Sequence, residues 1–223
     1  MRLAKDICLN GVSASSGLCL ALKQVIEEYC PIRIIETGTY HGTGTTKAII
    51  EACILSQVKS ILYSIESDKG NVELSKKNLA FYLTNHYCKF EVLSGVSVSK
   101  EEAFTTPLNY AHLPEDIIVD FVNPKDYTRE IAHASRYNLL EECFARFDGE
   151  PDLVVLDSAG HLGLQEFLYV VENARKDFIL ALDDINHIKH HESKRLITEV
   201  AYNAEIIHQG EDKFGWLIAK IKI

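Results

Sequence analysis

Residues 34–46 read IIETGTYHGTGTT. An apolar run ends at Glu36, and three glycines and five threonines fill the next ten residues. Just upstream, IRII (32–35) is the short apolar run of a strand buried on both faces. Just downstream, TTKAIIEACILS (45–56) has the apolar spacing of a helix. A strand, a glycine-rich turn and a helix in succession make the first unit of a parallel α/β sheet. They also put the turn where such sheets hold ligands.

The pattern repeats outward from this unit. SILYSIE (60–66), KFEVLSG (89–95), DLVVLDS (152–158) and FILALDD (178–184) read as further strands. Helical spacing precedes the first strand at 16–30 and separates the others at 71–85, 137–147, 163–175 and 192–203. The last twenty residues hold two strands around GEDKFG (210–215), a link short enough for an antiparallel hairpin. The expected fold is a doubly wound, mostly parallel, seven-stranded sheet with helices on both faces and an antiparallel C-terminal hairpin. Residues 96–135 carry three prolines and weak periodicity, so they read as a lid or insertion. A single domain over 1–223 is expected, with an N-terminal helical segment over about 1–31.

Composition narrows the function. The chain has 223 residues, is 47% hydrophobic and 25% charged, and carries a formal net charge of −9. No Lys/Arg-rich run is present, so neither nucleic acid nor an anionic membrane is the expected partner. No apolar run approaches the length of a membrane span, and none opens the chain as a signal peptide would. Six cysteines, Cys8, Cys19, Cys30, Cys53, Cys88 and Cys143, form no CxxC pair. They read as free thiols in a reducing compartment, and a cytoplasmic location follows. Trp216 is expected in the core.

Carboxylates mark the strand ends: Glu36 on the first, Glu66 on the second, Asp157 on the fourth, Asp183 and Asp184 on the fifth. Aligned in one sheet, they converge on the edge where ligands bind. In the turn, Gly38, Gly42 and Gly44 allow close backbone approach. Lys47 follows Thr45 and Thr46, the wrong order for a phosphate-binding P-loop, and no G-x-G-x-x-G is present. Glu36 would repel a pyrophosphate and suits a cationic group. Glu66, about 20 residues past the turn, is placed to accept hydrogen bonds from ribose hydroxyls. A nucleoside joined to an ammonium, without phosphate, describes S-adenosylmethionine.

IIETGTYHGTGTT resembles the first motif of the class I S-adenosylmethionine-dependent methyltransferases, above all the catechol and caffeoyl-CoA type of small-molecule O-methyltransferase. LYSIESD, PDLVVLDSAGH and LALDDINH are similar to that family's later strand-end motifs, and the terminal hairpin matches its fold. The resemblance implies methyl transfer from S-adenosylmethionine to a hydroxyl of a small-molecule acceptor. It implies that Glu36, Gly38, Tyr40, His41 and Gly42 surround the methionine portion. Glu66 and Ser67 would hold the ribose, Ser94 and Gly95 the adenine side, and Asp157 and Ser158 the methyl end. Asp157, Asp183 and Asp184 match the positions that hold a divalent cation such as Mg²⁺ in metal-dependent members, which carry Asn at the position of Asp184. Those members place a lysine base shortly after the fourth strand. Here DSAGHLG offers His161 instead, so Asp157 and His161 are the catalytic candidates. His187, His190 and His191 in NHIKHHES are either a solvated loop or a second group of substrate or metal contacts. Two rivals remain: an NAD-dependent oxidoreductase on a related sheet, and a non-catalytic module that binds S-adenosylmethionine or a nucleoside. The acceptor and the oligomeric state are not legible, and a homodimer stays open.

Overall fold

The computed structural model describes residues 16–105, 131–158, 162–199 and 202–223. Among them the apolar runs form seven strands: β1 (Arg33–Thr37), β2 (Ser60–Glu66), β3 (Cys88–Ser94), β4 (Leu153–Leu156), β5 (Phe178–Asp183), β6 (Ala204–Gly210) and β7 (Trp216–Ile221). They pair in the order β3-β2-β1-β4-β5-β7-β6. The first five are parallel, and β7 runs antiparallel to both β5 and β6. Chain connections leave β1 in opposite directions, so the crevice between β1 and β4 is the topological switch point at which such sheets bind ligands.

Both faces of the sheet are covered. Ile34, Leu62, Leu153, Val155 and Ile179 point into a core shared with α1 (Gly17–Tyr29), α2 (Thr45–Leu55) and α3 (Lys69–Leu79). Ile35, Ile65, Leu93, Val154 and Leu180 point the other way, toward α5 (Leu139–Arg146), α6 (Gly163–Asn173) and α7 (His191–Thr198). Neighbours in sequence fall on opposite faces because the strand period is two, and β4 (LVVL) is apolar throughout because both its faces are covered. Trp216 joins the first core, as expected.

Helix ends follow local chemistry. Ser16 accepts from the Cys19 N–H at the start of α1, and Cys30 closes it in the left-handed region just before Pro31. Asp68 caps α3 through the Asn71 N–H. The periodicity predicts this helix through residue 85, but α-geometry stops at Leu79 and a 3₁₀ segment (Ala80–Thr84) follows. Here the Tyr82 hydroxyl donates to Glu51 of α2 at 2.7 Å, and the Asn85 side chain accepts from the Tyr87 and Cys88 N–H groups that launch β3. Those contacts draw the chain off the helical path.

Of the expected insertion at 96–135, the described flanks hold the short α4 (Lys100–Phe104), with a Ser99/Glu102 capping box, and a small apolar cluster of Val96, Val98, Ala103, Ile131 and Leu162. Its centre, 106–130, lies outside the described residues, as do residues 1–15 of the N-terminal segment. Cys19, Cys30, Cys53, Cys88 and Cys143 are free thiols, and Cys8 lies outside the described residues. Among the described residues, no helix is long and apolar enough to cross a membrane.

Candidate functional site

The glycine turn is built on a buried carboxylate. Glu36 lies inside β1, with no exposure to solvent. One oxygen, Oε2, accepts from Thr46 Oγ1 at 2.7 Å and from Ser64 Oγ at 2.6 Å. Thr39 Oγ1 donates to Ser64 Oγ at 2.5 Å and so extends the chain of hydroxyls. The other oxygen, Oε1, is buried without a hydrogen-bond partner among the described residues. Burial pushes the Glu36 carboxyl up to about 7, with the Ser64, Thr45 and Thr46 hydroxyls pulling it back down.

The turn itself is tight. Gly38 has φ +85°, and a Cβ there would stand 2.1 Å from the Asp157 carbonyl oxygen at the end of β4. Only a residue without a side chain lets β1 and β4 approach so closely. Tyr40 takes φ +50°, and its N–H donates to Glu66 Oε2 at 2.6 Å. Glu66 Oε1 accepts from the Asp68 N–H at 2.9 Å. The second acid therefore already grips the turn. The Tyr40 and His41 rings stack on each other, with centroids 3.7 Å apart. Helix α2 starts at Gly44 without a side-chain cap, leaving its first N–H groups to the turn. Ser94 lies beside Glu66 in the β2–β3 register, Ser67 follows Glu66, and the Gly95 N–H donates to the Glu66 carbonyl at 2.8 Å. Glu36, Gly38, Tyr40, His41, Gly42, Glu66, Ser67, Ser94 and Gly95 thus line one edge of the sheet across β1, β2 and β3.

The acids of β4 and β5 form a separate group. Ligand oxygens of Asp157, Asp183 and Asp184 all lie within 4.8 Å of one another. Asp184 adopts φ +55°, a left-handed conformation that Asp and Asn tolerate better than most residues. Oxygen donors at this spacing match a hard divalent cation. A lysine stands on them, however. The ammonium of Lys189 lies 2.9 Å from Asp157 Oδ1 and 2.8 Å from Asp184 Oδ2. Lys189 is 4% exposed. Burial draws its pKa down, and Asp157, Asp184 and Asp183 more than reverse this, so it stays charged. Burial also acts on Asp184, but Lys189 outweighs it and holds that carboxyl below the usual range. Asp183 is pushed well up by burial, with Asp157 and Asp184 beside it. As built, the donor set fits an ammonium, and a divalent ion would have to displace it.

A third buried acid, Glu166 of α6, is not among the strand-end carboxylates. It accepts from Thr37 Oγ1 at 3.0 Å, from Ser158 Oγ at 2.8 Å and from Ser97 Oγ. It therefore ties the end of β1, the loop after β3 and the loop after β4 into one unit. In sequence Glu166 looks like a helix-surface charge, and Lys189 like one more solvated residue among histidines. The apolar helix around Glu166, with Thr37 and Ser158 at strand ends, was the available signal. Of the loop histidines, His187 and His190 are buried, and burial holds both pKa values below the ordinary histidine range. They are packing groups more than solvated ones. His161 lies outside the described residues.

No family model and no curated protein matches the chain. Solved structures do. The chain is similar to an O-methyltransferase from Bacillus cereus in complex with SAH (12% identity, 96% of this chain and 84% of that chain, TM-score 0.55). It is similar to the O-methyltransferase TomG from Streptomyces achromogenes in complex with SAM (13%, 95% and 82%, TM-score 0.55). It also matches SAH-bound methyltransferase PaMTH1 from Podospora anserina (13%, 92% and 78%, TM-score 0.52). Identities this low speak for architecture, and the architecture agrees with the strand order and the terminal hairpin. The chain has the Rossmann-like fold of the class I methyltransferases, with O-methyltransferases as its structural neighbours.

Proposed function

We propose that this chain binds S-adenosylmethionine at the β1–α2 turn and transfers its methyl group to a hydroxyl of a small molecule. The observation that carries this is Glu36: a wholly buried carboxylate at the mouth of a glycine turn, with Oε1 unpartnered among the described residues. A cation beside it would draw off the proton that burial favours, so the site opposes a phosphate and favours an ammonium. Glu66, one strand away, supports a ribose beside it.

The bound cofactor would supply a methyl group made electrophilic by its sulfonium. The chain's own part is positioning. Glu36, held by the Thr46 and Ser64 hydroxyls, supplies a carboxylate under the methionine ammonium, whose charge would keep it ionised. Gly38 and Gly42 let the backbone close on the methionine chain, flanked by Tyr40 and His41. Glu66 accepts from the ribose hydroxyls. Ser67 stands beside Glu66 at the ribose, Ser94 and Gly95 border the adenine, and Asp157 and Ser158 the reacting end. His161 is the candidate base for the acceptor hydroxyl, and residues 96–135 supply acceptor contacts.

Isothermal titration calorimetry with S-adenosylhomocysteine, S-adenosylmethionine and NAD tests the cofactor. Binding of the first two, weakened at least about tenfold by Glu66→Ala, is the expected result. NAD binding without S-adenosylhomocysteine binding would turn the assignment to an oxidoreductase. Transfer of labelled methyl to a panel of phenols and other alcohols then tests the reaction.

A further inference from the structure

The three-carboxylate cluster carries its own cation. Lys189 Nζ sits 2.9 Å from Asp157 Oδ1 and 2.8 Å from Asp184 Oδ2, in a cluster whose third member, Asp183, is 5% exposed. The side chain reaches this point from a loop with little freedom. The His187 N–H donates to the Asp184 carbonyl at 3.0 Å, and the His190 and His191 N–H groups donate to the His187 carbonyl. The Lys189 N–H donates to His187 Nδ1 at 3.3 Å. Ile185 and Asn186 donate to Gly215 and Phe214 of the β6–β7 hairpin. From the other side α6 presses on the loop: a Cβ at Gly163 would stand 2.3 Å from the Lys189 carbonyl oxygen.

A divalent ion and this ammonium compete for the same oxygens. Mg²⁺ needs its donors at about 2.1 Å in near-octahedral array. An ammonium already bonded to Asp157 and Asp184 blocks that approach by charge and by volume. To admit the ion, a buried lysine would have to leave two carboxylates for an apolar surround or unwind its loop, and an unpaired buried charge is strongly destabilising.

We propose that Lys189 is the resident cation of this site, taking the place of a divalent metal, so that the chain binds no catalytic metal and works without one. Lys189 ties Asp157, beside the crevice between β1 and β4, to Asp184 at the end of β5. It also keeps a positive charge there, where an acceptor oxygen gains negative charge during transfer. The clause about transfer rests on the function proposed above, and the occupancy of the site does not.

Mn²⁺ binding, followed by electron paramagnetic resonance on the full chain, separates the two. Wild-type protein is expected to bind Mn²⁺ no better than about millimolar, as scattered surface carboxylates do. Lys189→Gln combined with Asp184→Asn removes one charge of each sign and frees the donors. It should bind Mn²⁺ at least about tenfold more tightly, and adding Asp183→Asn should abolish the gain. Sub-millimolar binding by wild type that Asp183→Asn removes would overturn the proposal, and so would a folded double variant with no gain. The wild-type titration decides the matter if a variant fails to fold. In parallel, calorimetry with S-adenosylhomocysteine in EDTA and in Mg²⁺ should give the same affinity. Absence of that binding would overturn the functional assignment and leave the Mn²⁺ result to judge Lys189.

Discussion

Two buried glutamates answer to two sets of hydroxyls. Glu36 gathers Thr46 and Ser64, with Thr39 behind, and Glu166 gathers Thr37, Ser97 and Ser158. Thr37 and Thr46 thus donate to carboxylates beneath the turn, and Thr39 reaches one through Ser64, which accounts for part of a composition that a glycine turn alone does not require. Glu36 rises from an ordinary 4.5 to about 7 on folding, mainly by burial. The folded chain therefore holds a proton that the unfolded chain has released, and stability falls as pH climbs between those values, by about 3 kcal/mol in full. Glu36→Gln should remove that slope, so that its stability relative to wild type improves from about pH 5 to about pH 8 in urea denaturation. An equal difference at both pH values would refute the assignment. Glu166→Ala leaves three buried hydroxyls without their acceptor and should cost about 3 kcal/mol by the same measurement. Glu36 was legible in sequence because it closes an apolar strand. Glu166 and Lys189 were not, since their burial depends on segments far away in the chain: Thr37 lies 129 residues from Glu166, and Asp157 lies 32 from Lys189.

At the level of elements, the unit of β1, turn and α2 was readable because apolar period and glycine placement agreed. Its tightness was not, because the Asp157 carbonyl that crowds Gly38 belongs to β4. Gly38→Ala meets two obstacles, a φ of +85° and a backbone atom 2.1 Å from the new Cβ. It should lower stability by more than the roughly 1 kcal/mol of a positive-φ substitution alone, and S-adenosylhomocysteine binding should fall with it. Thermal denaturation with and without that ligand separates the losses: a ligand shift as large as in wild type would mean the turn is not the binding seat. Element boundaries were the least legible part. Side-chain bonds of Tyr82 and Asn85 end α3 early, and periodicity does not see them.

On the scale of the whole molecule, alternation of strands and helices foretold the parallel sheet, and one short polar link foretold the hairpin. The pairing of β7 beside β5 and the two cores follow from which faces are apolar. What alternation cannot state is how α1 meets the hairpin. Asp212, in the β6–β7 hairpin, accepts from the Gly17 N–H of α1 at 3.0 Å and from the Trp216 indole at 2.5 Å. Asp212→Ala should cost about 1–2 kcal/mol, and amide hydrogen exchange over 18–22 should quicken before that of β1. Uniform quickening across the sheet would show that α1 does not open on its own.

That same bond spans 195 positions. On a ribosome, chain emerges from its N-terminal side, so α1 is made long before its partner. The helix can lie against α2 early, yet its leading end is finished only when the hairpin leaves the exit tunnel. Once β5 has emerged but the hairpin has not, the nascent sheet has an edge at β5 with no neighbour, and α1 is loosely seated. Arrival of β6 and β7 would then close both the sheet and the helix in one step.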